Sequence, residues 1–295
     1  ILLIVAVTVL FLALIFTLYI KYDLQPGLEL ELTDIDLAQS SRIVCVDSET
    51  GEEIEMQTIY SEENRIWVKY DELPKDLINA AIAIEDQRFE RHQGVDWHRT
   101  TGAFVTMFLS MSNSFGGSTI TQQLIKNLTK DDDVTVQRKL TEIFKAIEFE
   151  RRYTKSTIME WYLNTIYFGE QCNGAQTAAL KYFGKDVWDL TLAECASLIG
   201  ITNNPSLFDP YSEAFEYDGE LMTGAERNRA RQEDTLSSMK EEGWLTEAEY
   251  DAAMDQEMVF KYGIEDIQAV YSCENEECGY SGTESSFLFV DGEYR

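Results

Sequence analysis

Apolar residues are unevenly distributed along the chain, and their spacing predicts a mainly helical protein. The first twenty residues contain 18 apolar residues and no charge. A helix of that length is about 30 Å long, which is enough to cross a bilayer. No small-residue cleavage site follows this stretch, which argues against a signal peptide. We therefore predict a transmembrane helix over residues 1–22.

The next part of the chain has the pattern of short strands. Apolar runs at residues 42–46 and 65–68, separated by a turn signal at residues 47–53, predict a small β or extended connecting segment. This segment is expected to cover residues 23–72. A helix is then expected to start near Pro74, because proline favours the first turn of a helix.

Spacings of three and four residues between apolar positions predict most of the remaining elements as helices. Amphipathic or buried helices are expected over residues 134–153, 156–169 and 227–239. Capping boxes at Thr191 and Thr246 predict the starts of two more. Residues 100–115 are strongly apolar but interrupted by serine and asparagine, which is typical of a core helix or of a segment that dips into a membrane surface.

The charge pattern limits the partners that the chain can have. The chain has 24 basic and 53 acidic residues, a formal net charge of −29, which argues against nucleic acid as a partner. Residues 126–155 differ, because they hold eight basic and six acidic residues. This window is either a local basic site that faces an anionic ligand or a solvated helix face.

A first group of candidate catalytic residues lies at residues 80–94. A small-residue apolar run ends in two carboxylates, Glu85 and Asp86, and is followed by Phe89, His92 and Gly94. A carboxylate at the end of a buried apolar segment is partly desolvated and is suited to accept a proton as a general base. Alternatively, Glu85 and Asp86 are only the polar end of a helix.

A second group follows two glycines. Gly117 lets backbone N–H groups approach a ligand closely, and Ser118 is the predicted N-cap of the next helix. A helix N-terminus with open N–H groups suits a pyrophosphate. Gln122 and Lys126 are four residues apart and share one face of this helix.

A third group places a carboxylate among cations. Arg138, Glu142 and Lys145 share one helix face, and an exposed pair of this kind contributes only about 0.3–0.5 kcal/mol to helix stability. A carboxylate held between cations stays ionised, which is the opposite of the environment expected for Glu85. Two carboxylates in opposed environments are typical of acid/base chemistry at a sugar.

Four motifs with these residues occur in a fixed order. They are EDxxFxxHxG at residues 85–94, GGSTITQQ at 116–123, RKxxE at 138–142 and YLNxxYFG at 162–169. Together they resemble the family 51 glycosyltransferases, the peptidoglycan polymerase domain of class A penicillin-binding proteins and of monofunctional transglycosylases. The resemblance covers residues 73–205, and more loosely extends to residue 243.

The resemblance implies a mainly α, lysozyme-like glycosyltransferase domain, which we expect over residues 73–255. Residues 256–295 would then be a linker or the start of a truncated C-terminal region. The implied reaction is polymerisation of lipid II with inversion at the MurNAc C1 atom and release of undecaprenyl pyrophosphate. The implied catalytic residues are Glu85 and Glu142. The residues implied in substrate binding are Asp86, Phe89, His92, Gly117, Ser118, Thr119, Gln122, Gln123, Lys126, Arg138, Lys139 and Asn164.

The resemblance also implies partners, a place in the cell and a metal. The partners are lipid II, the growing glycan chain, the cytoplasmic membrane and other cell-wall synthesis proteins. A single-pass anchor would hold the catalytic domain outside the cytoplasm. Mg²⁺ or Mn²⁺ at the pyrophosphate is expected, with Glu142 as the best candidate ligand, and no organic cofactor. The family commonly has a basic residue where this chain has Val134, so pyrophosphate binding is expected to be weaker or to depend more on metal.

Two other classes of function also use parts of this pattern. A lysozyme-like glycan-cleaving enzyme such as a lytic transglycosylase also needs a catalytic glutamate, but it does not need the basic cluster. A non-catalytic wall-binding membrane scaffold would need neither Glu85 nor Glu142.

Overall fold

Helices predominate in the computed structural model of the chain, which describes residues 2–19, 22, 30–32, 35, 37, 41–46, 53–59, 64–100, 117–130 and 135–262. The helices are α1 (Leu2–Tyr19), α2 (Lys75–Glu85), α3 (Ile120–Thr129), α4 (Val136–Arg152), α5 (Lys155–Thr165), α6 (Ala175–Tyr182), α7 (Leu192–Thr202), α8 (Pro205–Phe208), α9 (Gly224–Glu241) and α10 (Glu247–Asp255). The prediction of a mainly helical protein is therefore confirmed.

Helix α1 occupies the stretch in which we predicted a transmembrane helix. It has 18 residues, and most of its large apolar side chains are exposed. Among the described residues, no helix combines the length and the apolarity needed to cross a membrane. The span that we predicted over residues 1–22 is thus not found in this part of the chain.

The strands form three two-stranded sheets. They are β1 (Ser41–Val46), β2 (Glu53–Ile59), β3 (Asn64–Arg65), β4 (Cys172–Asn173), β5 (Phe215–Tyr217) and β6 (Glu220–Met222). Strands β1 and β2 pair antiparallel, β3 and β4 pair parallel, and β5 and β6 form a hairpin. The strand predicted at residues 42–46 is confirmed.

The strand predicted at residues 65–68 is wrong in extent, because β3 ends at Arg65. Beyond Arg65, the backbone forms hydrogen bonds with the Asn164 side chain and not with a neighbouring strand. The Val68 N–H donates to Asn164 Oδ1 over 2.8 Å, and Asn164 Nδ2 donates to the Val68 carbonyl over 2.7 Å. A side chain thus satisfies the backbone groups that a sheet partner would have paired.

The predicted helix starts are largely confirmed. Pro74 precedes α2, and Thr135, Thr191 and Thr246 cap α4, α7 and α10. The helix predicted to reach residue 169 is wrong at its end, since α5 stops at Thr165. The chain then turns back towards β4 through three successive residues with positive φ, Gly169, Glu170 and Gln171.

Helix α7 forms the centre of the core. All of its residues from 193 to 201 are buried, and it packs against α2 and α9. Helix α2 buries Leu77, Ile78 and a run of small residues, so its C-terminal end at Glu85 is held firmly by the core. Helix α3 packs against α4 and α5 and forms the second part of the framework around the candidate site.

Several elements were not predicted, among them α6, α8 and the hairpin of β5 and β6. They are short, and short elements depend on tertiary contacts more than on local pattern. Residues 47–52 of the predicted turn, 101–116 of the predicted apolar segment, 131–134 with Val134, and 263–295 lie outside the described residues.

Candidate active site

Glu85 lies at the point where α2 ends and the candidate site begins. Helix α2 stops because Asp86 turns into a non-helical conformation while its N–H still donates to the Ile82 carbonyl over 3.0 Å. The Glu85 side chain is half-buried, and its Oε2 atom accepts a hydrogen bond of 2.7 Å from Gln123 Nε2. The Arg99 guanidinium donates to the Glu85 backbone carbonyl and fixes the chain at this position.

Asp86 is fully buried and joins three segments of the chain. Its Oδ2 atom accepts a hydrogen bond of 3.1 Å from the Ile120 N–H and lies 2.8 Å from His92 Nε2. On its other side, His92 Nδ1 lies 3.7 Å from Glu150 Oε1. Asp86 and His92 therefore hold the loop after Glu85 in place, and their role in substrate binding stays a prediction.

The start of α3 differs from the prediction. The N-cap is Thr119 and not Ser118: Thr119 Oγ1 accepts from the Gln122 N–H over 3.2 Å, and Gln122 Oε1 accepts from the Thr119 N–H over 3.0 Å. Because Asp86 accepts from the Ile120 N–H, a carboxylate of the protein already lies at this N-terminus. A pyrophosphate at this N-terminus would lie next to the Asp86 carboxylate, and the site that we predicted there stays a prediction.

The loop that carries His92 and Gly94 rests directly on α4. Gly94 has a φ of +84°, and a Cβ atom there would lie 2.4 Å from the Ala146 carbonyl oxygen. Thr119 Oγ1 donates to the Gly94 carbonyl over 2.7 Å, which ties this loop to the start of α3. Phe89 is buried in the core beneath it, with the Lys155 ammonium 4.3 Å above its ring.

Glu142 has the cationic surroundings that were predicted for it. Its side chain is 5% exposed; Oε2 accepts from Arg138 Nη1 over 2.7 Å, and Oε1 accepts from the Lys139 ammonium and, over 3.3 Å, from Gln122 Nε2. Lys139 also donates to Ser118 Oγ over 2.7 Å. Burial lowers the pKa of Lys139, although the Glu142 carboxylate acts in the opposite direction.

Helix α3 connects the two carboxylates. Gln122 contacts Glu142, and the next residue, Gln123, contacts Glu85. Tyr162 lies behind this pair, fully buried, with its hydroxyl 3.5 Å from Gln123 Oε1. Burial raises the pKa of Tyr162 and the charges of Glu85 and Asp86 act in the same direction, so the hydroxyl stays protonated as a donor.

A basic cleft lies between α3 and α4, which we call the α3–α4 cleft. The residues that line it are Ile125, Lys126, Thr129, Arg138, Thr141, Glu142 and Lys145. Three of them are cations and one is a carboxylate that is already paired. The cleft is therefore suited to an anionic group.

The sequence comparisons point to one family. The model of the transglycosylase family ("Transgly: Transglycosylase") matches residues 51–240. The chain belongs to the transglycosylase family. This confirms the family that the four motifs indicated, in which the enzyme class is peptidoglycan glycosyltransferase.

Relatives of this transglycosylase are penicillin-binding proteins 1A from several bacteria. The protein from Vibrio cholerae serotype O1 is 36% identical over 290 residues, which are 94% of this chain and 33% of the relative. The proteins from Neisseria lactamica and Aquifex aeolicus are 38% and 33% identical over 73% and 79% of this chain, and 26% and 32% of their own length. The chain thus spans about a third or less of the length of these relatives.

A solved structure also resembles the transglycosylase chain. It is penicillin-binding protein 1A from Haemophilus influenzae, at 24% identity with a TM-score of 0.41, covering 78% of this chain and 22% of that chain.

The residues present do not fit the metal site that we expected at Glu142. Both of its carboxylate oxygens accept hydrogen bonds from cationic side chains, so neither oxygen is suited to coordinate a metal ion. In the part of the chain that the structure describes, no group of three histidine, cysteine, aspartate or glutamate residues could hold a metal ion. We therefore assign no metal ion to Glu142 of this transglycosylase.

Asn164 does not lie with the other predicted site residues. Both ends of its amide are bonded to the Val68 backbone, and Nδ2 also donates to the Glu160 carbonyl over 2.7 Å. Asn164 is 1% exposed, so it fixes the connecting segment onto α5 and has no open group for a substrate. Gly117 is buried immediately before Ser118.

Sequence reasoning assigned no role at the site to two residues, Tyr162 behind Gln123 and Lys145 in the cleft. Tyr162 had the appearance of a core residue, because an aromatic residue at helical spacing is usually buried. Lys145 was noted only as part of a charged helix face. Its spacing of seven residues from Arg138 was the signal that could have placed it in the cleft.

Proposed function

We propose that this chain is a peptidoglycan glycosyltransferase domain that polymerises lipid II and releases undecaprenyl pyrophosphate. The observation that carries the proposal is the bridge formed by Gln122 and Gln123. These adjacent residues of α3 contact two different carboxylates: Gln123 holds Glu85, and Gln122 holds the ion-paired Glu142 of the basic cleft. A glycosyl transfer to a sugar hydroxyl needs both a base and a site for a departing anion.

Glu85 acts as the general base in this proposal. Gln123 holds Oε2, and Oε1 makes no hydrogen bond to any described residue, so Oε1 is available to the acceptor hydroxyl. Glu85 Oε1 takes the proton from the GlcNAc 4-hydroxyl while the oxygen of this hydroxyl attacks the MurNAc C1 atom. The bond from C1 to the pyrophosphate oxygen breaks on the opposite face, and its electron pair stays on the pyrophosphate. The reaction therefore inverts the configuration at C1.

Cations that line the α3–α4 cleft, together with Lys139 at Glu142, stabilise the departing pyrophosphate. Arg138, Lys139 and Lys126 supply fixed positive charge where negative charge develops, which lowers the barrier without a proton transfer. Glu142 keeps Arg138 and Lys139 in place through its two oxygens and remains ionised between them. In this proposal the protein's own cations stabilise the pyrophosphate, and no step depends on a metal at Glu142.

The place of action and the partners follow from the substrate. Lipid II carries a lipid anchor, so the domain is proposed to work at the outer face of the cytoplasmic membrane on the growing glycan chain, beside other cell-wall synthesis proteins. The formal charge of −29 argues against a role in nucleic-acid binding.

The test is lipid II polymerisation by the detergent-solubilised chain. We expect wild type to produce glycan strands and Glu85→Gln to lose about 10²-fold or more of the rate, because glutamine cannot accept the proton. Glu90→Gln is the matched control, since Glu90 is an exposed acid in the same loop, and it should retain the wild-type rate. Equal rates for wild type and Glu85→Gln would refute the assignment of the base.

Two further measurements distinguish the proposed function from the alternative functions. Chelation of divalent cations should leave most of the rate intact if the cleft cations suffice. Cleavage of preformed glycan without polymerisation would indicate the lysozyme-like hydrolase, and glycan binding without either reaction would indicate a scaffold.

A further inference from the structure

Glu150 is a buried acid of α4 that joins several segments of the chain behind the candidate base. Its side chain is 3% exposed. Its Oε1 atom accepts a hydrogen bond of 2.6 Å from Thr121 Oγ1 on α3, and its Oε2 atom lies 2.6 Å from the Lys155 ammonium at the start of α5. Oε1 also lies 3.7 Å from His92 Nδ1, in the segment that follows α2. Neither the four motifs nor the proposed reaction uses this acid.

The ion pair with Lys155 and the hydrogen bond from Thr121 hold the Glu150 carboxylate in one position. An ion pair with a buried member resists opening, because opening it would leave a charge without a partner away from water. A hydroxyl that donates to a carboxylate adds a charge-assisted hydrogen bond with a defined direction. Glu150 is therefore a rigid support for the residues that lie against it.

The His92 ring lies between two carboxylates. Its Nε2 atom lies 2.8 Å from Asp86 Oδ2, and its Nδ1 atom faces Glu150 on the other side. The His92 side chain is 8% exposed, and Nδ1 makes no hydrogen bond to any residue that the structure describes. A buried ring nitrogen is costly without an acceptor or donor nearby, so the position of Glu150 determines how favourable this orientation of the ring is.

Asp86 connects the His92 ring to the candidate base, because it is the residue directly after Glu85. Its Oδ2 atom is shared between His92 and the Ile120 N–H, and its carbonyl accepts from the Phe89 N–H over 2.8 Å. A displacement of the His92 ring would therefore move Asp86 and, with it, the end of α2 that carries the base.

We infer that Glu150 is a positioning residue for the general base and acts on Glu85 through His92 and Asp86. This inference rests on the proposed function. Glu150 contacts no substrate and exchanges no proton in the reaction; it keeps the Glu85 carboxylate where the acceptor hydroxyl meets it. Loss of this support should slow the chemical step more than it weakens substrate binding, because proton transfer depends steeply on the placement of the base.

The first measurement is NMR of the full chain with isotope-labelled histidine. The chain has only two histidines, His92 and His98, so each ring signal can be assigned. Glu150→Gln should shift the ring signals of His92 and leave those of the exposed His98 unchanged. Unchanged His92 signals would overturn the inference, since Glu150 would then not determine the surroundings of the ring. This measurement needs no activity, so it tests the contact even if wild type does not polymerise lipid II and the proposed function fails.

The second measurement is the steady-state kinetics of lipid II polymerisation. Glu150→Gln should lower kcat about tenfold and change KM much less. A double variant with Glu150→Gln and His92→Gln should be no slower than His92→Gln alone, because both changes interrupt the same series of contacts. A wild-type kcat in Glu150→Gln would overturn the inference, and so would single losses that multiply in the double variant.

The matched control is Glu148→Gln, which removes an acid from the same helix. The Glu148 side chain is 29% exposed and pairs with Arg151 and Arg152. This variant should keep the wild-type kcat and the wild-type His92 signals. An equal fall in kcat for Glu148→Gln and Glu150→Gln would also overturn the inference.

Glu150→Asp is the second variant, for the case that Glu150→Gln does not fold once Lys155 has lost its partner. Aspartate keeps the negative charge but has a shorter side chain, so its carboxylate cannot reach Lys155, Thr121 and His92 together. Urea denaturation establishes that the variant is folded. It should show the same fall in kcat and the same shift of the His92 signals, and wild-type values for both would overturn the inference.

Discussion

At the residue scale, the two carboxylates of the site differ in the groups that hold them. Glu85 accepts from the neutral amide of Gln123, while Glu142 accepts from Arg138 and Lys139. The first arrangement leaves a carboxylate able to take up a proton, and the second keeps a carboxylate charged. The division of roles therefore results from the neighbours of each glutamate, since the two side chains are chemically the same.

Gln123 offers a direct test of this division. Replacement of Gln123 by methionine removes the 2.7 Å hydrogen bond that orients Glu85. A hydrogen bond to a charged group contributes about 1.5–3 kcal/mol, so we expect a loss of roughly ten- to a hundredfold in the polymerisation rate, with a small change in KM. Steady-state kinetics on lipid II measure both quantities.

The control for this variant is Gln137→Met, because Gln137 is an exposed glutamine on α4. It should leave the rate unchanged. A Gln123→Met enzyme with the wild-type rate would show that Glu85 does not need this amide to be positioned.

The motifs predicted which residues are chemically important, but they did not predict how those residues are bonded. Ser118 and Thr119 are both good N-caps by composition, and only the contact of Thr119 with Gly94 and of Ser118 with Lys139 decides between them. Asn164 was assigned to the substrate because it belongs to a motif, yet its amide bonds to Val68, 96 residues away. Pairings over such distances in sequence depend on the tertiary fold and are not visible in a local pattern.

At the element scale, the segment that follows α2, residues 86–94, is positioned by direct contact with α4. Gly94 lies against the backbone at Ala146, and Asp86 caps the first turn of α3. The helices themselves were predicted well, because their apolar spacing and capping residues are local. The end of α5 was not predicted correctly, since the chain turns back to β4 through Glu170 and Gln171, which have positive φ values. The helices were therefore predictable from the sequence, whereas the connections that assemble the site were not.

The contact of Gly94 with α4 predicts a large loss of stability for Gly94→Ala. The new Cβ would lie 2.4 Å from the Ala146 carbonyl oxygen, and the φ of +84° is unfavourable for alanine. We expect the free energy of unfolding to fall by about 3 kcal/mol or more, measured by urea denaturation.

Gly219→Ala is the matched control for this prediction. Gly219 has almost the same φ, +86°, but no described atom lies within 4 Å of the position that a Cβ would take there. This variant should lose only about 1 kcal/mol, which is the backbone cost alone. Equal losses for the two variants would mean that α4 moves away from the loop at little cost.

At the scale of the whole molecule, a strong negative charge surrounds a site that is locally basic. The formal net charge is −29. One of the acidic residues, Asp209, is buried. The residue is 7% exposed; burial raises its pKa to about 7, and the neighbouring Glu170 carboxyl acts in the same direction, whereas the Tyr211 N–H and Lys181 oppose the shift.

This raised pKa makes the stability of the whole protein depend on pH near neutrality. Between its ordinary pKa of 3.8 and about 7, Asp209 holds a proton in the folded state and has lost it in the unfolded state. The folded state therefore binds more protons, and the free energy of unfolding falls as the pH rises through this range, by up to about 1.4 kcal/mol per pH unit. Above about pH 7 both states are ionised, and this contribution no longer changes with pH.

Asp209→Asn should remove this dependence, because asparagine resembles the protonated acid and cannot ionise. Urea denaturation at several values between about pH 5 and about pH 8.5 would measure it, and the difference between the two curves cancels the titration of other groups. We expect the variant to gain stability relative to wild type as the pH rises to about 7, with no further gain above it. Glu220→Gln, which removes an exposed charge, should run parallel to wild type. A constant difference between Asp209→Asn and wild type over the whole range would show that Asp209 is ionised throughout.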